Sequence, residues 1–357
     1  MSNKYIPFLK LKGNEIAALK ALSPELKSRL IPFFDIPKKN PITSDGLKSC
    51  ILKAAKSVKK NLAGYSQIYL DDYDIDESIK IDDDHSYGYA IREFSEINFI
   101  PVVGLDRTPA RNDLVFSAKI SGLISSNRFA IRLQNDDFES FRLIQHEIRE
   151  ILSEGLKHYE FFDIIFDNRY CHKLDTTQRA EKIIRFISQM DGIISPERIV
   201  IAGSSIPASI GEIISTEDDL IHPRAEISIY RHVISSINHT NLCFGDYTVV
   251  SPLYSDLDIP AAALRNVITA KILYTFDDGH YISRGGALRS HVRGDLQYND
   301  IAKNIVEAPF YRGATYSFGD NFLEEKSRFI GASVTASSIL KPTINLHITY
   351  MLNKVIH

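Results

Sequence analysis

Short apolar runs rich in Ile, Val, Phe and Tyr recur along the chain from residue 4 to residue 250, each cut off by polar residues. They are "KYIPFLKLK" (4–12), "RLIPFFDIP" (29–37), "QIYLDDYD" (67–74), "NFIPVVGLDR" (98–107), "RFAIRLQ" (128–134), "YEFFDIIFD" (159–167), "RIVIAGSS" (198–205) and "NLCFGDYTVV" (241–250). β-Branched and aromatic enrichment over so few residues predicts strands. Between them lie "NEIAALKAL", "LKSCILKAAKSVKKNL", "SYGYAIREFSEI", "DLVFSAKISGLI", "FESFRLIQHEIREILSEG", "TTQRAEKIIRFISQM" and "AEISIYRHVISSIN". Several have apolar residues at three- and four-residue steps, one of them carrying Phe138, Phe141, Leu143, Ile144 and Ile148, which predicts amphipathic helices. Strands alternating with helices imply parallel strands joined by crossovers. Eight of them predict an α/β fold, a (β/α)8 TIM-like barrel over 1–252. The competing fold is a doubly wound open sheet, which would want a glycine-rich phosphate turn after an early strand; the first run ends in "KLKGNE" instead.

After residue 252 the alternation stops. "ITAKILYTFDDGHYISRGG" (268–286) predicts a β-hairpin turning at Asp278–Gly279, since a type I′ turn needs positive φ at both central positions. The chain closes on "NLHITYMLNKVI", a helix or a strand. An isolated hairpin is marginal in water, so 253–357 is expected to dock on the barrel as a C-terminal extension.

Composition narrows the function classes. Hydrophobic residues make up 44% and charged residues 24%, and the net charge is −3. That is the make-up of a globular domain without the basic surplus of a nucleic-acid binder, so no nucleic-acid partner is expected. The run Lys48, Lys53, Lys56, Lys59 and Lys60 has the spacing of a solvated helix face. The three cysteines, Cys50, Cys171 and Cys243, lack metal-ligand spacing and suggest a reducing, cytoplasmic compartment. "MSNKYIPFLKLKGNE" has no apolar core of a signal peptide, and no run approaches a membrane span, so no membrane partner is expected. The acidic stretch 71–84 carries Glu77 where a calcium loop needs Gly, and Cys171–His172 beside Asp167 is a weak metal signal. No metal is expected and no cofactor is identified.

The barrel fold directs attention to the C-terminal ends of the strands, where such barrels bind ligands. Strand alternation points Asp35, Asp71, Arg132, Asp163 and Asp246 into one mouth, with Lys12 just beyond the first strand. These are the candidate catalytic residues. Lys12 and Arg132 would balance a substrate's charge, and Asp71 or Asp163 would act as a general base. Loops after the seventh and eighth strands often form a phosphate corner. There, glycines let backbone N–H groups approach an anion and serines add donors. Gly203, Ser204, Ser205 and Gly245, with Lys10 and Arg284, form the candidate ligand-binding set for a phosphorylated or nucleotide-like anion. The Asp246 carboxylate works against an anion there unless a cation intervenes. The competing reading is structural: strand-end polar residues begin loops, and Ser204, Ser205 and Pro207 open the next helix.

The opening "YIPFLKLKGNEIAALKALSPELKSRLIPFFDIP" carries an aromatic-Pro strand, then Lys10, Lys12 and Glu15, then Ala18 and Leu19, then Pro32, Asp35 and Pro37. With "GSSIP", "FGDY", "ILYTFDDGHYISRG", "SFGDNF" (317–322) and "NLHITYML" (345–352), it resembles the beta-protein family, named for a phage protein and also found in bacteria. The order of these stretches covers nearly the whole chain. Phe318 stands where that family usually has Trp. Asn345, Leu346 and His347 stand where it has a double histidine, so a role needing two histidines does not carry over. The resemblance implies a barrel-like fold and a phage or mobile-element setting, anti-phage defence included; it implies no settled reaction.

Three classes of function follow. One is a barrel that binds, and as an enzyme hydrolyses, an anionic nucleotide-like small molecule at its strand ends. The second is the same pocket without turnover. The third is a non-enzymatic subunit of a phage or defence assembly, meeting a protein partner through the extension.

Overall fold

The structure is a computed structural model that describes residues 4–38, 42–254 and 267–355. Of the segments read above, 1–3 at the N-terminus and 255–266 and 356–357 in the extension lie outside the described residues.

All eight expected strands form, and they close into one parallel barrel in chain order: β1 (Tyr5–Lys10), β2 (Phe33–Asp35), β3 (Ile68–Asp71), β4 (Phe99–Gly104), β5 (Arg128–Leu133), β6 (Phe161–Tyr170), β7 (Arg198–Ser204) and β8 (Leu242–Asp246). β8 closes on β1 through Tyr5–Phe244, Ile6–Gly245 and Pro7–Asp246. The seven predicted helices form around them, over Gly13–Lys20, Ser44–Asn61, Ser86–Glu93, Pro109–Ile120, Phe141–Gly155, Thr176–Met190 and Ala225–Ser236. Their starts are chemically marked. Thr43 and Thr108 accept from the backbone N–H groups of Gly46 and Arg111, Pro109 opens its helix, and Asp175 caps Thr177 and Gln178.

The barrel interior is layered. Its middle is apolar, built from Ile6, Phe8, Phe33, Ile100, Val102, Ala130, Ile165, Val200, Ala202 and Cys243. Phe8 stacks on Phe33 at 4.2 Å, and Phe33 on Tyr69 at 5.5 Å. Gly245 makes room for this stack: a Cβ there would lie 2.8 Å from the Phe8 ring. Charged side chains lie above and below the apolar layer.

The extension is more ordered than its sequence pattern suggests. The hairpin strands are Thr269–Phe276 and Gly279–Ala287, and a strand inserted between β7 and β8, Asp218–Pro223, completes a three-stranded antiparallel sheet beside Gly279–Arg284. The sequence reading missed that inserted strand. The turn also differs from expectation. Phe276 pairs with Gly279, so the two-residue turn is Asp277–Asp278, with Asp277 at φ 40°. Gly279 serves close approach instead, since a Cβ there would sit 3.2 Å from the His222 carbonyl oxygen. Helices Gln297–Glu307, Phe318–Ser327 and Leu340–Tyr350 follow, the last continuing as a wide π-turn to Val355.

One face of the sheet and these helices bury Ala270, Ile272, Tyr274, Tyr298, Ile305, Leu323 and Leu346 in a second core. Leu273, Ile282, Ile344, Ile348 and Met351 instead join the core between the barrel and its helices. The final helix thus belongs to both. Asn345 ties it down, donating to the Ala18 carbonyl at 3.1 Å and accepting from the Gly319 N–H at 3.2 Å.

Gly319 is where the last two long helices approach most closely: a Cβ there would lie 2.1 Å from the Pro342 carbonyl oxygen and 2.8 Å from Leu346. Backbone oxygen cannot swing away, so Gly319→Ala is expected to cost about 1–3 kcal/mol or more through overpacking. Because the two cores share the final helix, barrel and extension are expected to unfold in one denaturant transition. A separate early transition in the variant, by circular dichroism, would show an extension that folds on its own.

Candidate functional site

The upper layer of the barrel interior is an ion network centred on Arg132, which is fully buried. Its Nη1 donates to Asp35 and to Asp71, each at 2.7 Å; its Nη2 donates to Asp167 at 2.6 Å and to the Tyr247 hydroxyl at 2.9 Å. Tyr247 donates in turn to Asp167 at 2.6 Å. Arg107 and Arg111 flank Asp71, and Arg111 also holds Asp72. Above them Lys10 and Arg169 share Asp74, and both donate to the Pro252 carbonyl. The Tyr73 ring sits against the guanidinium groups of Arg132, Arg169 and Arg107 at 4.3–5.0 Å.

In the buried set five carboxylates therefore face five cations, Asp35, Asp71, Asp72, Asp74 and Asp167 against Lys10, Arg107, Arg111, Arg132 and Arg169, while the part-exposed Asp106 is a second partner of Arg107 at the rim. The balance sets the proton affinities. Burial pushes Asp35 above the ordinary carboxylate range, and Arg132 and Lys10 only partly offset it. For Asp71 the surrounding guanidinium groups outweigh burial, and for Asp167 Arg132 and Arg169 do the same; both are held low. The gap beside the network, bounded by Phe8, Lys10, Glu15 and Tyr247, is too small for water.

Asp35, Asp71 and Arg132 thus meet as expected, with Asp167, but as a filled and neutral plug. Three other expected mouth residues lie elsewhere. Asp163 belongs to the layer at the opposite end, bonded to Arg128, Arg198 and the Tyr69 hydroxyl, because it sits early in β6. Lys12 is exposed in the link after β1. Asp246 points outward, since the inward residues at this end of β8 are Cys243, Gly245 and Tyr247.

Asp246 instead anchors a buried seam between barrel and extension. It accepts from the Tyr5 hydroxyl at 2.8 Å, from Arg224 Nη2 at 2.6 Å and from His347 Nε2 at 2.9 Å. Arg224 also donates to Glu226, which accepts from the Ser205 hydroxyl at 2.6 Å. Ser205 Oγ accepts from the Ala225 N–H across the inserted strand; Ser204 bonds Ile206 instead and Pro207 lies well before the helix that starts at Ala225, so the expected local cap opened by Pro207 does not form. Gly203 faces the same side, against Cys171 and Glu226. His347 Nδ1 and His280 Nδ1 lie 2.8 and 3.0 Å from the Thr275 hydroxyl. Burial lowers the pKa of both histidines, which makes Arg224 the countercharge of Asp246. Burial alone would raise Asp246; His347, Arg224 and Tyr5 together hold it far below the ordinary range.

The ends of β7 and β8 and the irregularity after Asp167 in β6 share a local device: a polar side chain accepts the N–H two residues on. Asp167 accepts from Arg169, Asp246 from Thr248 and Ser204 from Ile206, at 2.9–3.1 Å. Such turns tolerate left-handed backbone, which Arg169 (φ 50°) and Thr248 (φ 56°) adopt.

Open space lies to one side of the mouth. A cavity of about 430 Å³ is lined by Ile206–Ile210 of the β7 loop, Val249–Ser251 and Leu253 of the β8 loop, and hairpin and helix residues of the extension. Its charged lining residues are Lys271 and Arg284, a cross-strand pair of the hairpin. No Asp, Glu, His or Cys lines it among the described residues. Arg284 Nη1 donates to the Ile214 carbonyl and Nε to Thr269. Of the expected ligand-binding set only Arg284 lines this cavity, together with the residues that follow "GSS". Lys271, Tyr298 and the inserted strand were missed, for nothing in the sequence pattern marks them as neighbours. Among the described residues no group of three or more His, Cys, Asp or Glu is placed to hold a metal, and no helix is long and apolar enough to cross a membrane.

The chain belongs to the Beta protein family, whose profile matches residues 5–353. No curated protein matches it by sequence. The stretches behind the resemblance converge on the seam: Tyr5, Ser205, Asp246, His280 and His347 are joined through it.

Arg132→Met would leave Asp35 without its bonded cation and take one partner each from Asp71 and Asp167, so it is expected to cost about 3–5 kcal/mol near pH 7. The deficit should narrow at acid pH as those carboxylates protonate, readable from urea midpoints. In the wild type, Asp71, Asp167 and Asp246 bind protons less readily than in the unfolded chain. Their contribution is present above about pH 4 and lost as pH falls below it. Asp35 and Asp163 are raised and act in the opposite sense. Net loss of stability between pH 5 and 3 is the expected result; a flat profile would show that the raised pair cancels the rest.

Proposed function

We propose that the protein is a ligand-binding barrel that takes a small anionic molecule with an apolar portion into the cavity between its β7 and β8 loops and the extension. The observation that carries this reading is the pairing of Lys271 and Arg284 in a recess that no carboxylate lines among the described residues. A volume of about 430 Å³ is in the range of pockets for drug-sized molecules and mononucleotides. Ile206, Val249, Leu273 and Ile339 offer apolar contact, and Ser209, Ser251 and Thr343 offer hydroxyl donors. The mouth network is a poorer host, because its cations are already matched by carboxylates. Absence of a carboxylate or histidine from the described lining favours binding over hydrolysis there. In a phage or anti-phage setting such a module would read out a small anionic signal.

A second reading, an interaction subunit, is favoured by exposed apolar residues on the extension. Val292 is 95% exposed, Phe329 51% and Ile330 52%, with Arg293 stacked on the Phe329 ring at 5.9 Å.

A panel of mononucleotides, sugar phosphates and carboxylates, read by thermal shift, tests the first reading. A ligand at a hundred times its Kd should add about 2.7 kcal/mol. Lys271→Met should leave the ligand-free melting temperature unchanged, as no hydrogen bond or ion pair holds its ammonium among the described residues, and should abolish the shift. Ligand shifts that survive both Lys271→Met and Arg284→Gln would place the anion elsewhere.

A further inference from the structure

We propose that a second recess, between the turn after the first helix and the extension, binds a neutral saccharide. It has a volume of about 340 Å³ and shares no lining residue with the cavity described above. Glu25 lines it from the barrel side, Tyr316 and Phe318 from the segment that opens the helix Phe318–Ser327, and Asn345, Thr349 and Asn353 from the final helix. The last three recur at four-residue steps, which puts them on one face of an almost wholly buried helix. Asn345 is occupied with Ala18 and Gly319. The other two are not satisfied within the protein. Thr349 is 3% exposed, and its hydroxyl bonds no other described residue. The Asn353 amide faces the Tyr316 hydroxyl, which is buried and lacks a partner at hydrogen-bond geometry. Buried polar groups of this kind are costly unless something they bind completes them. Asn353 also lies in the π-turn that ends the chain's last helix, a distortion found frequently at functional sites.

The lining selects the ligand class. Two hydroxyls and an amide each donate and accept, which matches the hydroxyls of a sugar. Phe318, 37% exposed, offers an aromatic surface on which the apolar C–H face of a pyranose can pack. Glu25 is the charged residue of the described lining; exposed at the rim, it can accept from further hydroxyls and repels an anion. Lys341 and Arg312 lie over the Phe318 and Tyr316 rings at 4.1 and 4.8 Å, but neither lines the recess. A phosphorylated ligand therefore finds no lining cation here among the described residues, the reverse of the Lys271–Arg284 cavity. The volume is in the range of small-ligand pockets. Because the walls come from both the barrel and the extension, a bound sugar would bridge them.

Saturation-transfer NMR on the full chain tests this. The probes are glucose, galactose, mannose and N-acetylglucosamine, with glucose 6-phosphate, adenosine and choline as anionic, flat and cationic contrasts. At least one neutral sugar should receive saturation, and glucose 6-phosphate should receive less than glucose. Methyl glycosides and short oligosaccharides of the best sugar then separate a free sugar from the end of a glycan chain as its source. Thr349→Val, which removes one hydroxyl at nearly constant volume, should weaken the best sugar about three- to tenfold. Phe318→Ala, at an exposed position, should abolish the transfer and leave the far-UV circular dichroism unchanged, which keeps the test valid if Thr349→Val does not fold. Lys271→Met should leave sugar binding as it is, so the outcome does not depend on the anion cavity. The proposal is overturned by absence of transfer to every neutral sugar, by transfer that survives Phe318→Ala or is lost in Lys271→Met, or by preference for adenosine or choline.

Discussion

The burial of Asp246 is the constraint on which the rest depends. It sits on the closing strand of the barrel, faces outward, and is 1% exposed. An unpaired carboxylate there would be untenable, so partners must come from every side. Tyr5 brings the first strand, Arg224 the segment after the inserted strand, and His347 the last helix. One carboxylate thereby couples barrel closure to the docking of the extension. Without that docking the hairpin would not stand beside the β7 and β8 loops, and the cavity between them would not exist.

The two ionic layers inside the barrel obey the same rule with a different result. In the upper layer four arginines and one lysine are met by five buried carboxylates, and Tyr73 covers the set. Neutral matching lets charged side chains fill a space that most barrels leave to apolar ones, but it leaves no unmatched cation to receive an anion. The cavity is the reverse case, with two cations and no countercharge in its lining among the described residues. Electrostatic imbalance, more than the concentration of charge, separates a place that can take a ligand from one that is already complete.

The stretches behind the family resemblance run through the seam and also reach the cavity, through Ile206, Pro207, Leu273 and Arg284. Tyr5, Ser205, Asp246, His280, Asn345 and His347 hold parts of the fold together. Family likeness in this chain therefore reports how the extension is attached.

Eight strands and seven helices were legible in the sequence, because side-chain period and β-branched content are local properties. The grouping of Asp35, Asp71 and Arg132 was legible too, since β2, β3 and β5 end at polar residues in step with inward apolar ones. For β8 the same inference failed. "LCFGDY" is apolar on both faces, as befits a strand buried on both sides, so alternation cannot say which face is inward. The inserted strand "DDLIHP" was invisible because its partner is the hairpin some sixty residues later, with register Asp218–Arg284. Lys271 and Arg284 face each other within the expected hairpin, but only the tertiary structure brings the β7 and β8 loops round them. Local sequence determined the elements and their polar ends; only the tertiary structure decided which polar ends face each other, because charge pairing and cavity shape depend on distances between segments far apart in the chain.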